Sequence, residues 1–263
     1  MDKIKLTNHI TDEDLRLKMY RVVDICNSVL KNHEVKKTEF LNPYEIKNAV
    51  AIVNTQSELS YIIDGGYVDA ERAVLIIYPY YLQEEEIVGE DLLRFIQING
   101  NFKFSSVSHR DYLGSILGLG IKREKIGDII VHENYCQFIL DSEVSDYVLY
   151  NCERVGRNKV TVEYIHRNEI VNIEQEFVEK KVTVSSLRID AIISSVFNLS
   201  RQESLKLCEG ERVYMDYEKI AQPSKLVQEK ALISVRTKGK FILSEIGNTT
   251  KKGKIMVIIN KYV

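Results

Sequence analysis

The amino-acid sequence predicts an α+β protein in three parts: a small N-terminal α+β domain, a middle βαββαβ domain, and a C-terminal module of two helices and several strands. Three patterns support this: an apolar helical stripe near the N-terminus, alternating strand and helix patterns in the middle, and two short capped helices before the last strands. At 263 residues the chain is long enough for two or three separate cores. We place the domains at 1–80, 81–167 and 182–263, with a polar linker over 168–181.

The N-terminal domain is predicted to contain two helices and two strands. Thr11 is the expected cap of the first helix, because acidic residues that suit the positive end of a helix dipole follow it directly. Its apolar stripe consists of Leu15, Met19, Val22, Val23, Cys26 and Leu30. Asn42-Pro43 opens the second helix, since proline is tolerated at the first helical position. Strands at 60–64 and 73–78 follow, and no catalytic spacing of nucleophile, base and orienting group is visible.

The middle domain alternates between strand and helix patterns. Its segments are strand 92–98, helix 110–117, strands 128–132 and 136–140, helix 144–152 and strand 160–165. This order is that of the split βαβ unit, which ferredoxin-like proteins and RNA-recognition motifs use among many others. Tyr135 and Phe138 lie next to or on one of its strands, and such residues either stack on RNA bases or, more often, pack within the sheet.

Two short helices open the C-terminal module. Ser185 or Ser186 is the expected cap of the first, whose apolar face repeats at three- and four-residue spacing from Ile189 to Val196. Ser200 is the expected cap of the second helix. Its outer side carries polar and basic side chains, namely those of Arg201, Gln202 and Lys206. Capped helices with cations on the outer side can offer N–H groups and positive charge to phosphate.

Basic residues also accumulate around the last strands, which we expect at 212–217, 231–237, 241–245 and 254–260. We predict two basic surfaces. The first consists of Arg188, Arg201, Lys206 and Arg212, and the second, on hairpin loops, of Arg236, Lys238, Lys240, Lys251, Lys252 and Lys254. Residues 184–263 hold 14 of the 36 basic and 8 of the 38 acidic residues, so this segment carries +6 and the remainder −8. A basic module on an acidic body indicates a localised site for a polyanion. The alternative is that the charge difference reflects only a solvated surface.

Composition narrows the class of protein. No segment reaches the ~18 apolar residues that a membrane span requires. The N-terminus lacks an apolar signal region, so a cytoplasmic protein without membrane contact is expected. Cys26, Cys136, Cys152 and Cys208 are scattered without a CxxC pair, which indicates reduced and mostly buried thiols. We expect no cofactor and no metal site.

The C-terminal module resembles the S4 RNA-binding domain. Leu187-Arg188-Ile189-Asp190, then Ser200-Arg201, then Arg212-Val213 before a strand, match the Arg-Leu-Asp, Ser-Arg and basic-apolar strand elements of that family. The chain departs from the pattern where Asp216 replaces the usual Asn, and where Glu209 and Glu211 stand at positions that are often basic or Gly. The resemblance implies RNA contact through the helices, and the departures weaken the strand end as a contact.

A wider resemblance, over about residues 72–263, is to YlmH-type proteins, an S4-domain family of Gram-positive and related bacteria. It is carried by residues 108–129, by Val155-Gly156-Arg157 and by residues 234–257. Within 108–129, further candidate RNA contacts are His109, Arg110, Lys122, Arg123 and Lys125. Gly118 and Gly120 allow the chain to turn sharply there.

Three other motifs resemble enzyme motifs, but each lacks the surrounding residues or structure that the enzyme requires. His109-Arg110-Asp111 is not a kinase loop, because Ile116 stands where the catalytic Asn is required. Gly118-Leu119-Gly120 has neither a third Gly nor a preceding strand, so it is not a dinucleotide site. The segment 187–190 resembles the catalytic loop of pseudouridine synthases, but it lies inside the predicted S4 helix and no separate catalytic domain remains.

The resemblance implies a non-catalytic protein that binds the large ribosomal subunit. Its partners would be structured ribosomal RNA and tRNA, its role would be the rescue and quality control of stalled ribosomes, and it would be a monomer when free. Two alternatives stay open. One is an RNA-modifying enzyme of the pseudouridine synthase kind, and the other is an adaptor linked to cell division that docks a protein through its N-terminal body.

Overall fold

The computed structural model describes residues 1–87, 92–102, 107–173 and 175–262. Within these ranges the chain forms seven α-helices and fourteen β-strands in three sheets, so the predicted α+β class is confirmed. It divides into two compact units, Met1–Ile173 and Glu174–Val263. In the described part of the chain, no helix is both long and apolar enough to span a membrane.

The first part of the first unit packs helices against a three-stranded sheet. Its elements are α1 Lys3–Thr7, α2 Glu13–Asn32, β1 Lys36–Lys37, α3 Pro43–Val53, β2 Leu59–Asp64 and β3 Val74–Pro79, with strand order β1-β3-β2. Asp12, not Thr11, caps α2, because its carboxylate accepts the Leu15 N–H at 2.9 Å. Asn42 caps α3 in a capping box with Glu45, as the Asn-Pro signal predicts. The predicted stripe of α2 is buried, apart from Leu30, which is half-buried.

The second part is the predicted βαββαβ arrangement with one added short strand. Its elements are β4 Leu93–Gly100, α4 His109–Gly118, β5 Ile126–Val131, β6 Tyr135–Asp141, α5 Ser142–Asn151, β7 Arg154–Val155 and β8 Asn158–Ile165. The antiparallel sheet has the order β5-β6-β4-β8-β7, which places β4 at its centre. Side chains from α4 and α5, such as Tyr112 and Val148, share a core with Ile96 and Phe138 from one face of this sheet.

Residues 1–80 and 81–167, which we predicted as separate domains, are joined by a shared core. Phe95 and Ile139, from the face of the sheet opposite α4 and α5, pack in one cluster with Phe40, Val74 and Ile76 from the N-terminal part. Because no solvent layer separates the two sheets, both belong to one compact unit. Their boundary in the sequence does not correspond to a gap in the structure.

The second unit contains a six-stranded antiparallel sheet and two helices. Its elements are β9 Phe177–Val184, α6 Ile189–Phe197, α7 Arg201–Glu209, β10 Val213–Met215, β11 Glu218–Lys219, β12 Leu232–Val235, β13 Gly239–Thr249 and β14 Ile255–Tyr262. The strand order is β11-β10-β12-β13-β14-β9. Ile192, Ile193 and Cys208 from the helices share a core with Phe241 and Ile259 from one face of the sheet.

The predicted linker over 168–181 is too long, because its last five residues begin strand β9. Phe177 pairs with Tyr262, and the pairing continues to Val184 opposite Ile255. The segment reads as polar because β9 is an edge strand whose side chains are mostly exposed. Backbone pairing with β14 fixes its conformation, and that pairing has no local signal in the sequence.

Candidate nucleic-acid interface

Helix α6 begins at a fixed ion pair. Arg188 is the N-cap residue, and its guanidinium donates two hydrogen bonds to Asp190, from Nε to Oδ1 at 3.0 Å and from Nη2 to Oδ2 at 2.8 Å. The Asp190 side chain is buried, with 4% of its surface exposed, whereas that of Arg188 is 38% exposed. This bidentate pair therefore holds the guanidinium at the surface in one orientation.

The prediction that Ser185 or Ser186 caps α6 is wrong. The Ile189 N–H donates to the Lys225 carbonyl at 2.8 Å, and the Asp190 N–H donates to the Pro223 carbonyl at 3.3 Å. Backbone carbonyls from a distant loop thus satisfy N–H groups that a serine cap would have bound. Both serines lie ahead of the helix and line a cleft beside its start.

Helix α7 begins with the capping box that its sequence predicts. The Ser200 hydroxyl accepts the Glu203 N–H at 3.2 Å, and the Glu203 carboxylate accepts the Ser200 N–H at 2.8 Å. These bonds to Ser200 lower the pKa of Glu203, and the charges of Lys238 and Lys206 lower it further. Lys238 therefore lies close to the first turn of α7.

The two faces of α7 are those expected from the sequence. Ser204 and Cys208 are buried, and the Ser204 hydroxyl donates to the Arg201 carbonyl at 2.9 Å. Arg201, Gln202 and Lys206 are exposed.

Four buried cysteines without a disulfide also match the expectation of free thiols.

A cleft of about 220 Å³ lies beside the start of both helices. Its lining consists of Ser185, Ser186, Arg188, Asp190, Ala191, Ser194, Ser195 and Arg201. Two arginines and four serines line this space, and the carboxylate of Asp190 is already paired with Arg188. Such a lining suits a phosphate group, because arginine donates in a planar fork and serine adds single donors.

The four serines of this cleft were missed as candidate contacts. Ser194 and Ser195 lie on a helix whose other residues after Asp190 are apolar, which is the signal that could have indicated them. The Ser194 hydroxyl donates to the Leu199 carbonyl at 2.7 Å, and that of Ser195 donates to the Thr183 carbonyl at 3.3 Å. Each hydroxyl oxygen can still accept a hydrogen bond, because donating its proton leaves its lone pairs.

The second predicted basic surface is wrong as a single surface, because β13 separates its members. Arg236 and Lys238 form the turn before β13, and Lys251, Lys252 and Lys254 follow its other end. An 11-residue strand at about 3.3 Å per residue places the two turns roughly 35 Å apart. Successive antiparallel hairpins necessarily lie at opposite ends of a sheet.

The turn before β13 instead joins the first basic surface. The Arg236 N–H donates to the Arg212 carbonyl at 2.9 Å, and the Arg212 N–H donates to the Leu207 carbonyl of α7 at 2.9 Å. Arg212, Arg236 and Lys238 are all exposed. Lys240 lies on the strand rather than in the loop, with its Nζ 4.5 Å from the centroid of the Tyr262 ring.

The five candidate residues of the middle part do not form one surface. His109 and Arg110 are exposed in the first turn of α4, whereas Lys122 lies beyond its other end. Arg123 donates to the carbonyls of Ile126 and Gly127, and burial lowers the pKa of this guanidinium to about 10. Arg123 and Lys125 are held by contacts within the protein, so they are less available for the predicted contact with RNA.

Lys125 is held by carboxylates of the same unit. Its Nζ lies 3.0 Å from Asp141 Oδ2 and 2.6 Å from Glu143 Oε2. Asp141 is fully buried and also accepts a hydrogen bond from Lys37 of the N-terminal part. The ammonium of Lys125 therefore compensates a buried charge.

Both aromatic side chains that the sequence singled out in the middle sheet have partners within the protein. Phe138 is fully buried on the helix side, so sheet packing is its role. The Tyr135 ring stacks on His132 with the centroids 4.2 Å apart. The face opposite the helices is itself partly covered, since Phe95 and Ile139 pack against the N-terminal part.

The site is thus of a phosphate-contacting kind, with arginine and serine side chains brought together at the start of α6 and α7. Two family models match the chain. "YlmH, N-terminal" covers residues 15–82, and "Putative RNA-binding domain in YlmH" covers residues 90–169.

A relative and a solved structure agree with these models. A Bacillus subtilis (strain 168) protein named "Ribosome-associated protein quality control protein P2" is 34% identical over 234 residues, which is 89% of this chain and 90% of that protein. The solved structure named "Cell division protein ylmH from Streptococcus pneumoniae" matches in fold with a TM-score of 0.52 at 23% identity. It covers 61% of this chain and 96% of that one. The chain belongs to the YlmH family, as the resemblance predicted.

Proposed function

We propose that this protein associates with ribosomes as a non-catalytic RNA-binding protein. Its C-terminal module would act as an S4 domain that binds structured RNA of the large subunit and tRNA, in the quality control of stalled ribosomes. The single observation that carries the proposal is the cleft where Arg188 and Arg201 meet four serines. The name of the B. subtilis relative supports the ribosomal setting.

Arg188 and Asp190 would act as one preorganised phosphate-binding group. Two of the five guanidinium N–H donors bind the carboxylate, which leaves three for phosphate oxygens. Because the ion pair already fixes the side chain, less conformational entropy is lost on binding. Asp190 is then a positioning residue rather than a source of repulsion.

Arg201 would act together with the N-terminus of α7. Its exposed guanidinium lies in the first turn, where the partial positive charge of the helix favours anions. The carboxylate of Glu203 opposes this charge, but the nearby cations Lys238 and Lys206 offset it. Arginines that start from a defined helix position suit the recognition of a particular RNA shape.

The direct test is Arg201→Ala in the full chain. We expect affinity for a large-subunit RNA fragment to fall by about 1–3 kcal/mol while the fold is retained. Arg21→Ala is a matched control, because Arg21 is an exposed arginine of α2, paired only with Glu39 at 2.9 Å among the contacts described for it. Equal affinities for Arg201→Ala and wild type in a filter-binding titration, with both folded, would refute the role of the cleft.

The enzyme alternative has one observation in its favour, since Asp190 lines the cleft. Formation of pseudouridine in RNA by the purified protein, and its loss on Asp190→Asn, would replace the non-catalytic proposal.

Crosslinking and RNA sequencing from cells tests which RNA is the partner. Reads concentrated on large-subunit RNA are expected, whereas reads concentrated on messenger RNA would contradict the ribosomal assignment.

A further inference from the structure

The face of the six-stranded sheet opposite α6 and α7 carries a row of aromatic and basic side chains. Strand pairing sets Phe177 opposite Tyr262, Lys240 opposite Ser234, and Ser234 opposite Tyr214, which in turn pairs with Lys219. Directly paired residues point to the same side of a sheet. The row therefore consists, from β9 to β11, of Phe177, Tyr262, Lys240, Ser234, Tyr214 and Lys219.

The side of the sheet follows from the core. Residues that alternate with the row, such as Phe241, Ile233 and Val213, are fully buried with α6 and α7. Row members consequently point away from both helices. Phe177 has 42% of its surface exposed, and Tyr262, Lys240 and Tyr214 are partly exposed.

Contacts along the row show how its rings and cations are arranged. The rings of Phe177 and Tyr262 meet edge to face with centroids 4.7 Å apart, and Lys240 Nζ lies 4.5 Å from the Tyr262 centroid. Lys219 forms an ion pair with Glu211 at 3.3 Å. None of the six row residues is acidic, and six strands at about 4.8 Å spacing extend over roughly 24 Å.

We propose that this row, the sheet row, binds a single-stranded RNA segment, with bases on the rings and phosphates near the cations. Aromatic rings accept any base by its π-face, and a flanking positive groove follows the backbone. Charge complementarity sets the path of the phosphates. Arg236 and Lys238 stand in the turn at the row's end of β13, whereas Glu179 lies two residues further along β9 on the same face. The phosphates then pass on the side of the turn.

This inference rests on the proposed RNA-binding function but concerns a different surface and a different RNA. The α6–α7 cleft offers guanidinium forks and hydroxyls for phosphates of a folded RNA. The sheet row offers ring faces, which a paired and stacked duplex cannot use. A protein carrying both would hold structured RNA and an adjoining single strand at once.

The test uses the full chain and two fluorescent probes, an oligoadenylate of about ten nucleotides and an RNA hairpin with the same number of nucleotides. Phe177→Ala and Tyr262→Ala should each weaken oligoadenylate binding by about 5- to 100-fold, as expected for the loss of one stacked base. Tyr262→Phe, which keeps the ring, should bind like wild type. Tyr150→Ala is the matched control, because Tyr150 is a tyrosine with 76% exposure on α5 of the other unit.

A second readout uses tryptophan fluorescence and keeps an aromatic ring at position 177. The chain contains no Trp, so Phe177→Trp introduces a sole tryptophan into the sheet row. Its fluorescence should be quenched by oligoadenylate, and adding Tyr262→Leu should reduce the apparent affinity. Absence of quenching at concentrations where oligoadenylate binds would overturn the proposal.

The remaining outcomes separate the two proposals. If the alanine variants are folded and bind both probes like wild type, or lose both equally, stacking on the sheet row is refuted. If wild type binds the hairpin but not oligoadenylate, the sheet row fails while the proposed function stands. If Arg201→Ala weakens the hairpin and leaves oligoadenylate binding intact, both surfaces act as proposed.

Discussion

Replacing Lys251, Lys252 and Lys254 by Ala should make RNA binding less dependent on salt. It should not remove the preference for ribosomal over random RNA. These lysines are exposed around the turn between β13 and β14. That turn lies roughly 35 Å along β13 from the turn with Arg236 and Lys238, at about 3.3 Å per residue. Lysines in a turn act as point charges, so their contribution should be mainly independent of sequence.

The size of the effect follows from counterion release. Each lysine that neutralises one phosphate contributes about 0.7 to 0.9 to the slope of log affinity against log salt. Three lysines should therefore lower the slope by about 2–3. Between roughly 50 and 200 mM salt, this reduces the loss of affinity by about 20- to 40-fold. The ratio of affinities for ribosomal and random RNA should be unchanged.

The matched comparison is the pair Arg236→Ala and Lys238→Ala at the other end of β13. Lys238 lies near Glu203 in the first turn of α7, and Arg236 bonds to the backbone of Arg212. This pair should reduce preference for ribosomal RNA as well as slope. Salt titrations with specific and random RNA measure both quantities. If the triple and the double variant change slope and preference in the same proportion, the assignment of different roles to the two turns is wrong.

Three further predictions concern stability. Asp190→Asn should lower RNA affinity modestly and lower the melting temperature, because it weakens the charge-assisted hydrogen bond that Asp190 accepts from Arg188. An unchanged melting curve would contradict this. Ser200→Ala should destabilise α7 by about 1 kcal/mol, which a thermal melt measures. Ser200→Asp should keep the cap but weaken RNA binding, which a binding titration measures. Burial raises the pKa of Asp141, but bonds from Lys37, the Glu143 N–H and Lys125 outweigh it, so this pKa lies below its ordinary value. The ionised Asp141 therefore stabilises the fold above pH ~4, and this stabilisation is lost as pH falls through the lower pKa of the folded state. Because Lys37→Ala removes one of the bonds that lower this pKa, it should raise the pH midpoint of acid unfolding, measured by circular dichroism.

The sequence predicts those elements whose signals are local. Helix α3 has its Asn-Pro start and capping box within four residues, and α7 has Ser200 and Glu203 three residues apart. Both helices begin where the sequence places them. Their outer and inner faces follow from the same short range, so the exposure of Arg201 was predictable.

Features that depend on distant partners were not predictable. Helix α6 starts after Arg188 because carbonyls of Pro223 and Lys225 bind its first N–H groups. Strand β9 looks polar and is fixed only by pairing with β14. The separation of the two lysine-bearing turns requires the strand order, and sequence proximity suggested the opposite.

The covered face of the middle sheet restricts where the segment matching the RNA-binding model can contact RNA. One face packs on α4 and α5, and the other contributes Phe95 and Ile139 to the core shared with the N-terminal part. Contacts are left to the rim and to the part of the second face outside this core. Gly100, at the end of β4, pairs with Val160 of β8, next to the turn after β7, and α4 begins after the same end of β4. The exposed Arg110 therefore shares one end of the sheet with the Gly156-Arg157 turn, whereas Lys122 lies towards the opposite end. Of the candidates in 108–129, His109 and Arg110 are thus better placed for RNA than Arg123 and Lys125, whose hydrogen bonds hold the unit together.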